Sequence, residues 1–254
     1  MKLSIVCVSD ATVVTRLFLL EFQMLARMLG AEFVLGAHGD RARRFAEDYD
    51  IKHVMVQGSY FEELIDQALD ACTGDYILRV DDDERCSTGM IDWLKTDEWF
   101  RRDSWFFSRA HLWPDVQHCI AKQPYFPDFQ ARLSVARQSR RPVKIHAAHA
   151  YPTYRAPATA FLEHHVFLIR TREERQAITA KYETIRTGQP FAAADVTVVM
   201  PYDDPNPVIE TVASARCLEL AEETVWWRQV GQRLPANLDK ELREWRESRG
   251  RSEP

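Results

Sequence analysis

Gly74-Asp75-Tyr76-Ile77-Leu78-Arg79-Val80-Asp81-Asp82-Asp83-Glu84 is the stretch on which the reading of this chain turns. Tyr76 to Val80 has the β-branched and aromatic content of a short strand. It runs directly into four acids and then into Ser87-Thr88, a pair suited to starting a helix. Four successive carboxylates at a strand end repel one another unless a counter-charge is near. A hard divalent cation, which prefers oxygen ligands, supplies that charge and would also hold the phosphates of a nucleotide. The simpler alternative for an isolated Asp-Asp-Asp-Glu is a solvated acidic turn.

The residues before this stretch build a frame for it. Leu3 to Val8 is a continuous apolar run of strand length, as in a buried parallel strand, and Ser9 and Asp10 follow at its carboxyl end. Thr15 to Leu29 reads as a helix ended by Gly30, and Glu32 to Gly36 as a second strand. Asp40 is placed to cap a helix through Tyr49, and Ile51 to Val56 makes a third strand. Ser59 to Cys72 is helical by the spacing of Phe61, Leu64, Ile65, Ala68, Leu69 and Cys72. Ser59 and Glu62 form a capping box, and Gly74 closes that helix. The pattern is β-α-β-α-β-α-β, which implies a parallel sheet with right-handed crossovers. Ligands of such sheets sit beyond the carboxyl ends of the strands, so Asp10 and Asp81 to Asp83 are expected on one rim.

Downstream, Phe106 to His111 and Ala131 to Val135 read as further strands, making the sheet mixed. The aromatics between Trp99 and Phe129 serve as core or pocket wall. In Phe126-Pro127-Asp128-Phe129-Gln130-Ala131-Arg132-Leu133, an extended backbone puts Asp128, Gln130 and Arg132 on one face. A lone Asp after Pro reads as a turn residue; in a cleft facing a metal, Asp128 becomes a candidate general base. His146 and His149 lie in Val143 to His149. Glu163-His164-His165 precedes the strand-like Val166 to Ile169; each histidine taken alone reads as a surface or core residue, and the alternative is that one imidazole reaches a metal. Thr171 and Glu174 form a second capping box, whose helix carries Ile178, Tyr182 and Ile185 on one face. Ile185 to Phe191 reads as a loop, Val196 to Met200 as an edge strand and Pro201 to Pro207 as a link. Val208 to Arg233, with Trp226 and Trp227, is helical, and Leu238 to Pro254 is a solvated helix that frays.

Composition bounds the rest. The 254 residues, 46% hydrophobic, can build a full core, and a net charge of −5 speaks against a general nucleic-acid binder. Basic residues cluster locally at Arg137, Arg140, Arg141 and Lys144. Five scattered cysteines without a CxxC spacing favour reduced thiols, a cytoplasmic setting and no zinc ribbon, with Cys7 and Cys72 as core residues. The first residues do not read as a signal peptide, and no apolar window is long enough to span a membrane.

The order of these features resembles the family 2-type glycosyltransferases of the GT-A fold, in bacterial members. Asp81-Asp82-Asp83-Glu84 after Gly74-Asp75-Tyr76-Ile77-Leu78 is similar to that family's DxD motif. Phe126 to Leu133 resembles its acceptor-side segment. His164/His165, then Arg170 to Arg175 and Lys181-Tyr182-Glu183, are similar to its tail. The resemblance spans about residues 1 to 186, and it departs from the family at Ser9-Asp10-Ala11-Thr12 and Gly36-Ala37-His38-Gly39-Asp40. It implies an α/β GT-A domain over 1–186 and a mainly helical C-terminal extension over 187–254. It also implies metal-dependent, inverting transfer from a nucleotide-diphospho-sugar to a carbohydrate or glycolipid hydroxyl, in surface polysaccharide assembly. Mn²⁺ or Mg²⁺ would be the cofactor, with no nucleic acid partner and at most peripheral membrane contact. Asp83 would bind the metal directly. Asp81 would contact the ribose, or the metal through water, with Asp82 beside it. Asp10 and Asp40 would hold base and ribose. Asp128 would be the base, His165 or His164 would complete the metal or diphosphate contacts, and Arg132 would pair with a phosphate or with Asp128. Two alternatives remain. A nucleotidyltransferase is disfavoured because Val8 to Arg16 has no glycine, and the other is a GT-A-like domain that binds a sugar nucleotide or a partner without turnover.

Overall fold

The computed structural model describes residues 1–59, 61–96, 98–121, 125–140, 153–186, 209–211 and 236–250. Its central strand, β1 (Leu3–Ser9), is buried at every position because parallel strands flank it on both sides. These are β2 (Glu32–Ala37) and β4 (Tyr76–Asp81), and β3 (His53–Met55) extends the sheet beyond β2. Helices α1 (Val13–Leu29), α2 (Asp40–Asp48) and α3 (Phe61–Leu69) are the crossovers. Thr12 caps α1 through Thr15 N–H, and Gly30 ends it in the left-handed region at φ 62°. Leu64, Ile65, Ala68 and Leu69 of α3 pack on Val6, Val8, Val34 and Ile77, while α1 covers the opposite face.

Beyond β4 the sheet becomes antiparallel. β8 (Asp128–Val135) pairs with β4, and β6 (Ser104–His111) pairs with β8. β10 (Phe161–His164) runs parallel to β6, and β5 (Glu84–Cys86) is antiparallel to β10. The strand order is β3-β2-β1-β4-β8-β6-β10-β5, with β9 (Tyr154–Arg155) also pairing with β6. This is the expected α/β class, a mixed sheet flanked by helices. Only Asp82 and Asp83 separate β4 from β5, yet β5 lies at the far end of the path. The strands β4, β8, β6, β10 and β5 therefore form a closed circuit, and the acidic turn joins its two ends. Trp93, Trp99, Trp105, Phe107 and Tyr76 meet edge to face in the core, the first of the two roles, core or pocket wall, expected of the aromatics from Trp99 on.

Several local expectations change. Gly74 lies well past the end of α3 and is not its cap. A Cβ there would stand 2.5 Å from Ser4 Oγ and 2.6 Å from Ser4 N, so glycine lets the chain enter β4 close beside β1. Glu63, one residue after Glu62, accepts the Ser59 N–H at 3.0 Å. Asp40 is the first residue of α2 and does not cap it; Gly39 takes that position, and Asp40 pairs with Arg43. Val166 to Ile169 is not a strand but the short helix α5 (Val166–Ile169), because the strand ends at His164 and the His165 N–H turns to Asp83 O. An apolar run of four residues carries no period that separates strand from helix. Ser87 caps α4 (Thr88–Leu94) through Met90 N–H, and Thr171 with Glu174 forms the reciprocal box that opens α6 (Arg172–Arg186).

In the C-terminal segment, Ile209–Thr211 is a strand, β11, paired with β7 (His118–Ile120), where a helix was expected. The expected features at Val196–Met200, Pro201–Pro207, Trp226 and Trp227, and those at His146, His149, Arg141 and Lys144, lie outside the described residues. Helix α7 (Ala236–Gly250) is not simply solvated. Leu238 is 1% exposed within the core cluster of α1, and Glu241 pairs with Arg16. Leu238→Ala is expected to destabilise the protein by about 2–4 kcal/mol, read as a lowered urea midpoint. An unchanged midpoint would mean that α7 only rests on the surface.

Arg137 pairs with Asp103 and Arg140 with Asp70, so these two do not form a free basic patch. Cys7, Cys72, Cys86 and Cys119 are unbridged, and no described helix is long and apolar enough to cross a membrane.

Candidate functional site

The parallel register sets Val8 beside Asp81, so the ends of β1 and β4 share one rim. Ser9 Oγ donates to Asp82 Oδ2 at 2.6 Å across it. Asp10 lies on the same rim, where Arg41 donates to its main-chain oxygen at 2.9 Å and to Oδ2 at 2.8 Å. Asp40 is further out, with a side chain 76% exposed.

The four acids have four different surroundings. Asp81 is clamped by Arg132, whose Nη1 donates to Oδ1 at 3.0 Å and whose Nη2 donates to Oδ2. Burial opposes its charge, but the guanidinium prevails and keeps Asp81 below the usual carboxylate range. Glu84 is fully buried. Its Oε1 accepts from Arg132 at 2.5 Å and from Arg109 at 3.3 Å, and its Oε2 accepts from Asp81 N–H at 3.0 Å. Asp83 faces His164, with Nε2 to Oδ1 at 3.3 Å, and Arg170 at 3.9 Å. Burial works against the charge on Asp83 too, but these neighbours hold it below the usual range. Asp82 goes the other way, up to about 7, because burial and the charge of Asp83 outweigh the Ser9 hydrogen bond and a distant Arg170.

On β8 the side chains of Asp128, Gln130 and Arg132 alternate onto one face, as the spacing requires. Arg132 turns to Asp81 and Glu84 and not to Asp128. The partners of Asp128 come from β6. Its Oδ2 accepts from Arg109 Nε at 2.7 Å and Nη2 at 2.6 Å, and contacts His111 Nε2 at 3.1 Å. Its Oδ1 accepts from Gln130 at 2.6 Å. Against burial, the hydrogen bond from His111, the charge of Arg109 and the bond from Gln130 hold this carboxyl well below the usual range. His111 Nδ1 and His164 Nδ1 are 2.9 Å apart, so one proton lies between them. Burial lowers both rings, His111 to about 4 and His164 to about 3. With one proton in the Nδ1 contact, two neutral rings can donate from Nε2 to Asp128 or to Asp83, but not to both at once.

His165 does not face the acids. Its ring stands edge-on to Phe18 of α1 at 5.2 Å, with Nε2 toward Glu163 at 3.8 Å. Only His164 shares the face of Glu84, its partner across the β5–β10 ladder.

Sequence reasoning left Arg109, His111, Ser9, Glu84 and Arg170 without a role. The signal for the first two was present as polar residues at alternate positions in the aromatic strand Ser104–His111.

Five carboxylates converge here: Asp81, Asp82, Asp83, Glu84 and Asp128. They meet three guanidinium groups, of Arg109, Arg132 and Arg170. The carboxylates outnumber the guanidinium groups, and the two that accept no hydrogen bond from a guanidinium of the described residues are Asp82 and Asp83. Among the described residues no three His, Cys, Asp or Glu side chains converge as a complete metal cage. Two carboxylates suit a magnesium-like ion, which keeps waters and takes its other oxygens from a bound phosphate.

No family model matches the chain, and no curated protein is similar to it at a significant level. Solved structures with a similar chain path include TarS of S. aureus, 13% identical with a TM-score of 0.45. The likeness covers 78% of this chain and 42% of that one, so the chain spans less than half the length of TarS. Residues 1–349 of TarS in complex with UDP-GlcNAc are 12% identical with a TM-score of 0.44, covering 78% of this chain and 70% of that one. Glucosyl-3-phosphoglycerate synthase from Mycobacterium tuberculosis, in complex with Mn²⁺, UDP and phosphoglyceric acid, is 12% identical with a TM-score of 0.40, covering 84% and 87%.

Proposed function

We propose that this protein is a metal-dependent inverting glycosyltransferase that moves a sugar from a nucleotide-diphospho-sugar to an acceptor hydroxyl. The observation that carries this reading is the pair of carboxylates, Asp82 and Asp83, that no described guanidinium hydrogen-bonds, on the rim where β1 and β4 end. Asp83 and Asp82 would hold Mn²⁺ or Mg²⁺, with His164 behind Asp83. Asp81 does not fit as a ligand because both its oxygens are taken by Arg132, nor does His165, which faces Phe18. When bound, the cation neutralises the charge that develops on the departing diphosphate.

The chain's own residues do the rest. Asp10 and Arg41 line the rim on which base and ribose would lie, with Asp40 at its outer margin. Arg109 and His111 anchor Oδ2 of Asp128, which leaves Oδ1, held only by Gln130 among the described residues, to meet the acceptor hydroxyl. The hydroxyl oxygen bonds to the anomeric carbon as the carbon–oxygen bond to the diphosphate breaks, and the proton passes to Oδ1. In-line attack inverts the centre.

The low proton affinity of Asp128, held well below the usual carboxylate range by His111, Arg109 and Gln130, favours one other reading, a domain that binds a sugar nucleotide without turnover. Incubation with a panel of nucleotide sugars and Mn²⁺ separates the two. The proposal expects release of a nucleoside diphosphate from at least one donor, lost by at least about a hundredfold in Asp128→Asn with donor binding retained. No release from any donor, with binding intact, leaves the non-catalytic reading. Loss of donor binding in Asp128→Asn makes Asp128 a structural residue.

A further inference from the structure

Three arginines reach the acidic cluster, and they are held differently. Arg132 and Arg109 each donate hydrogen bonds to carboxylates. The guanidinium of Arg170 makes no hydrogen bond among the described residues. It stands 4.0 Å from Asp82 Oδ1 and 3.9 Å from Asp83 Oδ2, with a side chain 31% exposed. Only its main chain is fixed, by its N–H to Val166 O at the end of α5. Such distances give charge attraction without hydrogen bonding, and water screens that attraction at a partly exposed site.

The position of Arg170 is therefore conditional. The two carboxylates it faces are those that lack a close cation, and a divalent ion there would bind oxygen at about 2.0–2.2 Å and repel the guanidinium. An arginine freed at that rim has a planar fork of donors that matches two phosphate oxygens. Resting on the metal position given under Proposed function, we propose that Arg170 is an exchangeable counter-ion. It lies against Asp82 and Asp83 until a divalent cation binds, and then turns outward to hold the diphosphate. One residue thus opposes cation binding and supports diphosphate binding.

Those two effects have opposite signs, which makes them separable by calorimetric titration of the full-length protein. The probes are Mn²⁺ alone, and inorganic pyrophosphate at saturating Mn²⁺. In Arg170→Gln, Mn²⁺ alone is expected to bind about two- to fivefold more tightly, the scale of one partly exposed charge removed. Pyrophosphate is expected to bind about tenfold or more weakly, as a charge-assisted contact is lost. Arg170→Lys, which keeps the charge without the fork, should bind Mn²⁺ like the wild type and pyrophosphate with intermediate affinity. Unchanged or weakened Mn²⁺ binding in Arg170→Gln, or unchanged pyrophosphate binding, overturns the exchange. Wild-type protein that binds neither probe overturns the proposed metal site itself, a result distinct from failure of the exchange.

Discussion

Arg132→Met is expected to destabilise the protein by about 3–5 kcal/mol at neutral pH, the effect of breaking a buried ion pair by removing one partner. The Arg132 side chain is 3% exposed and satisfies Asp81 and Glu84 together. Without it, the nearest cation to both acids is Arg109, 3.8 Å from Asp81 and 3.3 Å from Glu84. The pH dependence has a definite sign. In the wild type the depressed Asp81 contributes stability above its unfolded value, near 3.9, and that contribution is lost as pH falls through the folded value. In the variant, burial without the guanidinium raises Asp81, so protonation relieves it. The gap between the two proteins should therefore be widest near pH 7 and narrow toward pH 4. Urea unfolding at several pH values reads this directly, and adding Glu84→Gln to Arg132→Met should recover part of the loss. A variant with a wild-type midpoint at pH 7 would show that the clamp contributes no more than a surface pair.

Asp83→Asn carries the second large effect, and it has two parts. With Mn²⁺ and a nucleoside diphosphate at a hundred times Kd, the wild type should gain about 2.7 kcal/mol of stability, visible as a raised Tm. Asp83→Asn should lose that gain. The metal-free protein supplies the other part. Asp82 titrates at about 7 when folded, so between about pH 4 and 7 the folded state binds more protons than the unfolded one. Stability then falls as pH rises across that window, by at most about 1.4 kcal/mol per unit. Removing the neighbouring charge in Asp83→Asn should flatten the slope. A diphosphate-dependent Tm gain that survives in Asp83→Asn would place the cation elsewhere. Burial keeps part of the slope in either case, so a slope as steep as the wild type's would mean that the charge of Asp83 does not help to raise Asp82.

The parallel half of the sheet was legible because its signals are local. The apolar run Leu3–Ser9, Gly30 after α1 and the periodic face of α3 each specify their own element. The shared rim of Asp10 and Asp81 to Asp83 followed from topology alone, since parallel strands end on one side. Boundaries shifted where a short signal had two solutions, as at Val166 to Ile169 and at Ser59 with Glu62 or Glu63.

Partnership within the site was beyond the sequence. Arg132 and Arg109 are both polar residues in strands, and nothing along the chain says that the first takes Asp81 and the second Asp128. The antiparallel registers decide it: Arg109 opposes Asp128, and β8 beside β4 brings Arg132 to Asp81. Likewise His164 and His165 are neighbours in sequence but face opposite sides, one toward Glu84 and Asp83, the other toward α1. The sequence by itself determined that acids gather at the end of β4, because strand and turn are local consequences of side-chain type. Only the tertiary structure decided which acids keep a close cation and which two are left short of charge. That depends on distances of a few ångströms between residues far apart in the chain, in a buried setting where such distances control the electrostatics.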